Sequence, residues 1–191
     1  YMSLLGAAAY ATITRTDIAV FVSALQRMTH KAEIIHIKRL NVLVRWAQAN
    51  PKKVTFSPIV GPTQIRCISD SAFKKEDDSG LAMKGAVFFR SASTTQGDGG
   101  NRSNLKACSA KGHLIDYYVN KQKHVTRATF SAELFAALDA ADHGTLLLQI
   151  LHQIQQGPIT ARQVMQLCDS GGWSCKMVLL LDAMSVFAAT T

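Results

Sequence analysis

Residues 177–181 read Met-Val-Leu-Leu-Leu, and this uninterrupted apolar run constrains the fold more than any other feature. Consecutive apolar residues over the length of one strand are typical of a strand that is buried on both faces. Such a strand belongs in the centre of a sheet whose faces are covered by helices. The run therefore predicts an α/β domain, with Asp182 at the end of its central strand.

The residues before this run predict the remainder of a mixed sheet. Alternating and β-branched residues predict three short strands, over 64–69, 85–90 and 114–119. Apolar residues at helical spacing predict three later helices, over 130–155, 160–167 and 185–189. Residues 91–112 are rich in Ser, Thr, Gly and Asn, and predict a mobile surface loop. A crossover through the long helix would place strand 64–70 beside strand 177–182 and parallel to it.

Two helices are predicted ahead of this sheet. The first spans 16–30, with Thr16 as its cap, and the second spans 33–48 and contains His36, a core or surface histidine. Their short connection predicts an antiparallel hairpin. Gly61-Pro62 marks a turn, so the predicted domains are a helical part, 1–60, and an α/β part, 61–191.

The composition favours an intracellular protein with a polyanionic partner. The net charge is +8, which favours nucleic acid, although many basic proteins bind none. The four cysteines lack the Cys-x-x-Cys spacing of zinc sites, and unpaired thiols are typical of a reducing compartment. No apolar run approaches the roughly 18 residues of a transmembrane helix, so no membrane partner is predicted.

Three carboxylates occupy positions where an α/β sheet collects functional groups. Asp70 closes the first predicted strand, Asp182 closes the apolar strand, and Glu133 lies in the first turn of the long helix. Clustered carboxylates repel one another, and Mg²⁺, which prefers hard oxygen ligands, would neutralise them. Taken singly, each acid is more simply explained as a strand-end turn residue or a helix cap.

The acids lie within strings that resemble a known family, the copia-type retrotransposon polyprotein. The tail of its reverse transcriptase resembles three strings near the start of this chain: Tyr1-Met2-Ser3-Leu4-Leu5-Gly6, Thr14-Arg15-Thr16-Asp17-Ile18 and His36-Ile37-Lys38-Arg39-Leu40. Its ribonuclease H part resembles four later strings, in the same order: Ser69-Asp70-Ser71-Ala72-Phe73, Gly85-Ala86-Val87-Phe88, the stretch from Lys121-Gln122 to Ala132-Glu133-Leu134, and Asp182-Ala183-Met184-Ser185.

The resemblance implies a reverse transcriptase tail followed by a ribonuclease H-like domain. It implies that Asp70, Glu133 and Asp182 bind Mg²⁺ or Mn²⁺ and are catalytic, in cleavage of the RNA strand of an RNA–DNA hybrid. Two such ions activate a water and stabilise the leaving oxygen of a phosphodiester. The implied partners are the hybrid and the rest of the polyprotein.

Some residues depart from the family pattern. Ala183 stands where the family has Asn, and Thr16 where it has Pro. We also expect the last strand and the C-terminal helix of the fold to be missing, together with the fourth metal-site acid. Activity is therefore an open question. The alternatives are a catalytically inactive remnant that acts as a nucleic-acid-binding or structural module, and an ordinary basic α/β domain whose motifs match by chance.

Overall fold

The computed structural model describes residues 1–72, 82–93, 112–122, 128–182 and 186. The chain divides into two compact units, Tyr1–Phe56 and Ser57–Thr191. The sequence predicts its domain boundary at Gly61-Pro62, a few residues later. Most of the predicted loop 91–112 and most of the predicted helix 185–189 lie outside the described residues.

The first unit is helical. Its three α-helices are α1 (Met2–Ala11), α2 (Ala19–Gln26) and α3 (Ile34–Ala49), and two 3₁₀ turns (Thr16–Ile18 and Thr29–Lys31) precede α2 and α3. One apolar cluster joins the helices: Leu5, Ala8, Ile18, Val22, Leu25, Leu40 and Leu43. The sequence did not predict α1, because its run of alanines carries no amphipathic period, yet Leu5 and Ala8 are part of this core.

The predicted helix 16–30 is shorter than expected, and Thr16 does not cap it. Arg15 holds the turn ahead of α2 instead, through a two-pronged ion pair with Asp17 in which both N–O distances are 3.0 Å. Its Nη1 also donates to the Ala47 carbonyl of α3, at 3.1 Å. The pair and the nearby Lys52 lower the pKa of Asp17 to about 2. The turn is therefore held by charge rather than by a hydroxyl cap.

Helix α3 begins with a reciprocal cap that gives His36 a structural role. The Glu33 backbone N–H donates to His36 Nδ1 at 3.0 Å, and the Glu33 side chain accepts from the His36 backbone N–H. These contacts satisfy two donors that a helix start leaves unpaired. His36 is thus part of a cap rather than of the core.

The second unit contains a four-stranded mixed sheet. Its strands are β1 (Thr63–Ala72), β2 (Met83–Ala92), β3 (Gly112–Lys121) and β4 (Lys176–Leu180), in the order β3-β2-β1-β4. Strand β2 is antiparallel to both β1 and β3, whereas β4 is parallel to β1. The predictions of an α/β fold and of a parallel pair in one sheet are therefore confirmed.

The prediction that the apolar strand is central is wrong for the described part of the sheet. Strand β4 is an edge strand of the described sheet, and Met177 to Leu180 are only half-buried. Strand β1 has neighbours on both sides and shows alternating burial. An apolar run reports contacts on the faces of a strand, and these do not determine the number of its hydrogen-bonded neighbours.

Helix α4 (Thr129–Gln156) packs on the sheet, mainly against β1. The core between them comprises Ile65, Cys67, Ala86, Phe88, Ala140, Leu148 and Cys175. Gly144 permits the close approach, because a Cβ there would overlap Met177 Sδ and lie 2.9 Å from Cys67 Sγ. A further helix, α5 (Ala161–Ser170), starts with a Thr160–Gln163 capping box and ends at Gly171 with a φ of 67°.

Helix α4 is also the one described helix that is long and apolar enough to cross a bilayer. Length and composition alone support this. The core helix of a soluble domain passes the same test, and α4 buries Ala132, Ala136 and Ala140 completely against the sheet.

Candidate metal centre

Three carboxylates from separate elements meet at one end of the sheet. Asp70 is on β1, Glu133 is on α4, and Asp182 follows β4. One carboxylate oxygen from each lies within 4.8 Å of the others. The sequence predicts this convergence within about 6 Å, the reach of one or two shared cations. The geometry of the three predicted residues is therefore confirmed, whereas their chemical role is a separate matter.

The strand register brings the two aspartates level with each other. The last pair of the parallel register is Ile68 with Leu180. Asp70 and Asp182 each lie two residues further along their own segments, so an unchanged register places them side by side. Leu181 and Asp182 follow the end of β4, so the pairing brings Asp182 to this edge of the sheet and the chain after the strand sets the direction of its side chain. The aspartates are exposed, and Glu133 completes the group from α4.

The other neighbour of Asp70 has no side chain. On β2, Gly85 is the residue opposite Asp70 in the antiparallel register. A Cβ at Gly85 would lie 3.2 Å from the Tyr118 carbonyl oxygen, which is a tight contact. Glycine therefore suits the β2–β3 packing and adds no bulk beside the Asp70 carboxylate.

Glu133 is the buried member of the group, with 9% of its surface exposed. Burial raises the pKa of its carboxyl group, and the charges of Asp70 and Asp182 raise it further. The hydroxyl and backbone N–H of Ser71 act in the opposite direction. Burial is therefore the larger cause of the raised pKa of Glu133, and like-charge repulsion is the smaller one.

Unpartnered buried oxygens belong to residues that adjoin the carboxylate group in the chain or contact its helix. They include Ser69 Oγ and Gln122 Oε1. Ser69 precedes Asp70, and Gln122 donates to the Ala132 carbonyl, one residue before Glu133. Orphaned polar atoms are rare in folded proteins and are common where water or an ion is bound.

The acids do not sit at the ends of their elements as predicted. Strand β1 continues to Ala72, so Asp70 lies inside it, and β4 stops at Leu180, before Asp182. Helix α4 begins at Thr129, which places Glu133 after the first turn, where helix-dipole stabilisation is weak. The strand ends differ because β1 pairs with β2 beyond the point where β4 stops.

The described cysteines form no metal cluster. Cys67 and Cys175 are buried and Cys168 is exposed, and all three are free thiols. Burial raises the pKa of the Cys67 thiol to about 12, which keeps it protonated and a poor metal ligand. The carboxylate group is the one cluster with metal-ligand geometry in the described chain.

Two polar pairs between the sheet and α4 could not be predicted from spacing. His143 Nε2 lies 2.7 Å from Asp116 Oδ2, and the His143 ring packs against Phe88 with centroids 4.8 Å apart. Lys84 of β2 pairs with Asp139 of α4. Each pair joins residues far apart in the chain, so no local motif signals it.

Most of the positive charge belongs to the first unit. Residues 1–56 carry eight Lys and Arg against two Asp and Glu, which accounts for +6 of the total +8. Three of these residues, Lys38, Arg39 and Arg45, are exposed on α3. The composition alone did not locate this charge.

Comparisons of the chain with models of protein families, with curated proteins and with solved structures found no match.

Proposed function

We propose that the second unit is a ribonuclease H-like domain that uses a divalent metal to cleave the RNA strand of an RNA–DNA hybrid. The observation that carries this proposal is the convergence of Asp70, Glu133 and Asp182 within 4.8 Å. They come from a strand, a helix and the segment that follows a parallel strand, in the chain order that the resemblance to the copia-type polyprotein implies.

The donor set suits Mg²⁺ or Mn²⁺. All three side chains offer carboxylate oxygens, the hard ligands that these cations prefer, and no described thiol joins them. The hydroxyl and backbone N–H of Ser71 favour the charged form of Glu133, which is the form that binds a cation. When bound, the cation would supply an activated water and charge stabilisation for the leaving oxygen of the phosphodiester.

The residues have distinct tasks in this proposal. Asp70 and Asp182 are exposed, so they face both solvent and substrate, and they provide the charge that attracts the cation. Glu133 is buried and approaches from α4, so its orientation is set by packing. Selection of RNA over DNA would depend on contacts to the 2′-hydroxyl groups in the shallow minor groove.

The first unit supports the same proposal through its charge. Exposed basic side chains on α3 suit contacts to phosphates, which are independent of sequence and sensitive to salt. In this account the first unit is the tail of a reverse transcriptase, the two units belong to a longer polyprotein, and they act inside the cell.

A catalytically inactive nucleic-acid-binding module is the second candidate. The observation that favours it is the number of acids, since the described cluster holds three and the resemblance implies four. With three acids a second ion is held poorly, and we expect slow cleavage at most. Both candidates bind the hybrid, so only cleavage of its RNA strand distinguishes a nuclease from a binding module.

A cleavage assay separates the two candidates. A labelled RNA–DNA hybrid is incubated with the protein and Mg²⁺ or Mn²⁺, beside Asp70→Asn, Asp182→Asn and the control Asp169→Asn. Asp169 is an exposed acid on α5 outside the cluster, so its substitution changes the net charge equally. The nuclease proposal expects slow, metal-dependent cleavage of the RNA strand that both cluster variants lose and the control keeps. Binding of the hybrid without such cleavage would overturn it in favour of the inactive module.

A further inference from the structure

Gln122 connects the sheet to the start of α4. Its backbone N–H donates to the Ala82 carbonyl at 2.8 Å, beside the first residue of β2. Its side-chain Nε2 donates to the Ala132 carbonyl of α4, also at 2.8 Å. The residue is 3% exposed, so both bonds are shielded from water.

A glutamine side chain at position 122 lowers the stability of the fold relative to an apolar side chain of similar size. The Ala132 carbonyl can only accept, so Nε2 must face it, and Oε1 is left buried without a partner. A buried unpaired acceptor costs about 1–3 kcal/mol, whereas the hydrogen bond contributes about 1 kcal/mol. An apolar side chain of similar size would fill the site without that penalty.

The position of Gln122 beside the carboxylate group gives a reason for glutamine at this site. Ala132 immediately precedes Glu133, the buried member of the carboxylate group. The Ala132 N–H is already bonded to the Ala128 carbonyl at 3.3 Å, so the bond from Gln122 is an additional, tertiary restraint on this turn of α4. The side-chain bond from Gln122 to Ala132 restricts the helix backbone immediately before Glu133.

We infer that Gln122 is a positioning residue for the metal centre, which holds the Ala132–Glu133 backbone so that the Glu133 carboxylate faces Asp70 and Asp182. The inference rests on the proposed function, because it assumes that the three acids bind a cation. Gln122 acts through the backbone of α4 and is not itself a ligand.

Gln122→Met tests the inference, since methionine fills a similar volume and keeps the backbone bond to Ala82, but cannot form the side-chain bond to Ala132. Isothermal titration with Mn²⁺ should show an affinity about tenfold weaker than that of the parent chain, the lower range for loss of an outer-shell partner. The thermal midpoint without metal should stay the same or rise, because the orphaned Oε1 is removed as well. Weaker metal binding without lower stability is a combination that a merely structural residue would not produce.

Tyr118→Phe is the matched control. Tyr118 lies on β3, the strand that ends one residue before Gln122, and its hydroxyl donates to the Ala136 carbonyl at 3.4 Å, one helical turn beyond Ala132. This variant removes a bond between β3 and α4 and leaves Gln122 intact, so its Mn²⁺ affinity should match that of the parent chain. Should Gln122→Met fail to fold, Gln122→Asn keeps a polar amide that is too short to reach Ala132, and the same loss of affinity is expected.

The outcomes separate this inference from the proposed function. If the parent chain binds no Mn²⁺ that Asp70→Asn abolishes, the proposed function fails, and the inference fails with it. If the parent chain binds Mn²⁺ and the Gln122 variants bind it equally well, the positioning role is wrong and the metal centre stands. Equal weakening in Tyr118→Phe would also overturn the specific role of Gln122.

Discussion

Asp70 and Asp182 place carboxylate oxygens within 4.8 Å of each other, just beyond the parallel pairing of β1 with β4. The register ends at Ile68 and Leu180, and each aspartate follows two residues later. The parallel pairing therefore brings both aspartates to the same edge of the sheet. Glu133 joins them from α4, and the group can be altered one residue at a time without changing the strands.

The first prediction concerns the close approach of α4 to the sheet. Gly144→Ala should lower the free energy of unfolding by about 1–3 kcal/mol, because the added methyl group overlaps Met177 and Cys67 in a packed core. Alanine is the better helix former by about 1 kcal/mol, which offsets part of the loss. Chemical denaturation measures the change.

Gly6→Ala provides the control for that substitution. Gly6 is also a helical glycine, but a Cβ there meets no atom within 4 Å. Helix propensity alone should act there, so the variant should be about as stable as the parent chain or more so. A Gly144→Ala protein that is as stable as Gly6→Ala would contradict the packing described for α4.

The second prediction is a pH dependence that originates at Glu133. The fold raises the pKa of Glu133 above its ordinary value of 4.5. At a pH between 4.5 and the raised pKa, the folded state therefore binds more protons than the unfolded state. The free energy of unfolding of the metal-free protein should therefore fall as the pH rises through that window. Glu133→Gln removes the titrating group, so this part of the decrease in the free energy of unfolding should disappear.

Thermal midpoints measured from pH 4 to pH 8 with a chelator present would check this prediction. The advantage of Glu133→Gln over the parent chain should grow as the pH rises, and then level off. An advantage that shrinks with rising pH would mean that the pKa of Glu133 is lowered in the fold.

The third prediction concerns the basic surface of α3. Lys38→Gln with Arg39→Gln should weaken binding of a labelled RNA–DNA hybrid and reduce the slope of log K against log salt by about 2, if each residue contacts one phosphate. Fluorescence anisotropy at several KCl concentrations measures both quantities. The effect should not depend on the nucleic-acid sequence, because phosphate contacts carry no sequence information.

The matched control for α3 changes the same net charge in the second unit. Arg162→Gln with Lys176→Gln replaces two exposed basic residues that lie on α5 and at the start of β4. Its salt slope should stay near that of the parent chain. Equal losses in the two double variants would indicate a diffuse attraction by net charge rather than a surface on α3.

The sequence predicted the sheet well because local patterns reported it directly. The alternation in β1 and the apolar run in β4 reflect side chains that touch α4, and the order of the acids follows from those elements. The position of β4 at the edge of the described sheet could not be predicted, because an apolar run does not indicate how many hydrogen-bonded neighbours a strand has. Helix α1 was missed since alanine favours helices without marking a buried face.

The surroundings of the carboxylate group were also beyond prediction. The contact between Gln122 and Ala132 depends on how the end of β3 packs beside α4. The same holds for the pairs of His143 with Asp116 and of Lys84 with Asp139. Such contacts arise from tertiary packing, and no short-range spacing encodes them.

Divalent-metal binding by the parent chain and by Asp70→Asn tests whether the three carboxylates form a metal centre. The three ligand oxygens lie within 4.8 Å, so their mutual repulsion is about 1 kcal/mol per pair even in a water-like medium. Asp70→Asn should therefore stabilise the metal-free protein slightly and abolish most of the binding. In the parent chain, Mg²⁺ at about 100 times its dissociation constant should add about 2.7 kcal/mol of stability. Isothermal titration and thermal unfolding that show no divalent-metal binding, or binding that Asp70→Asn leaves intact, would contradict the account.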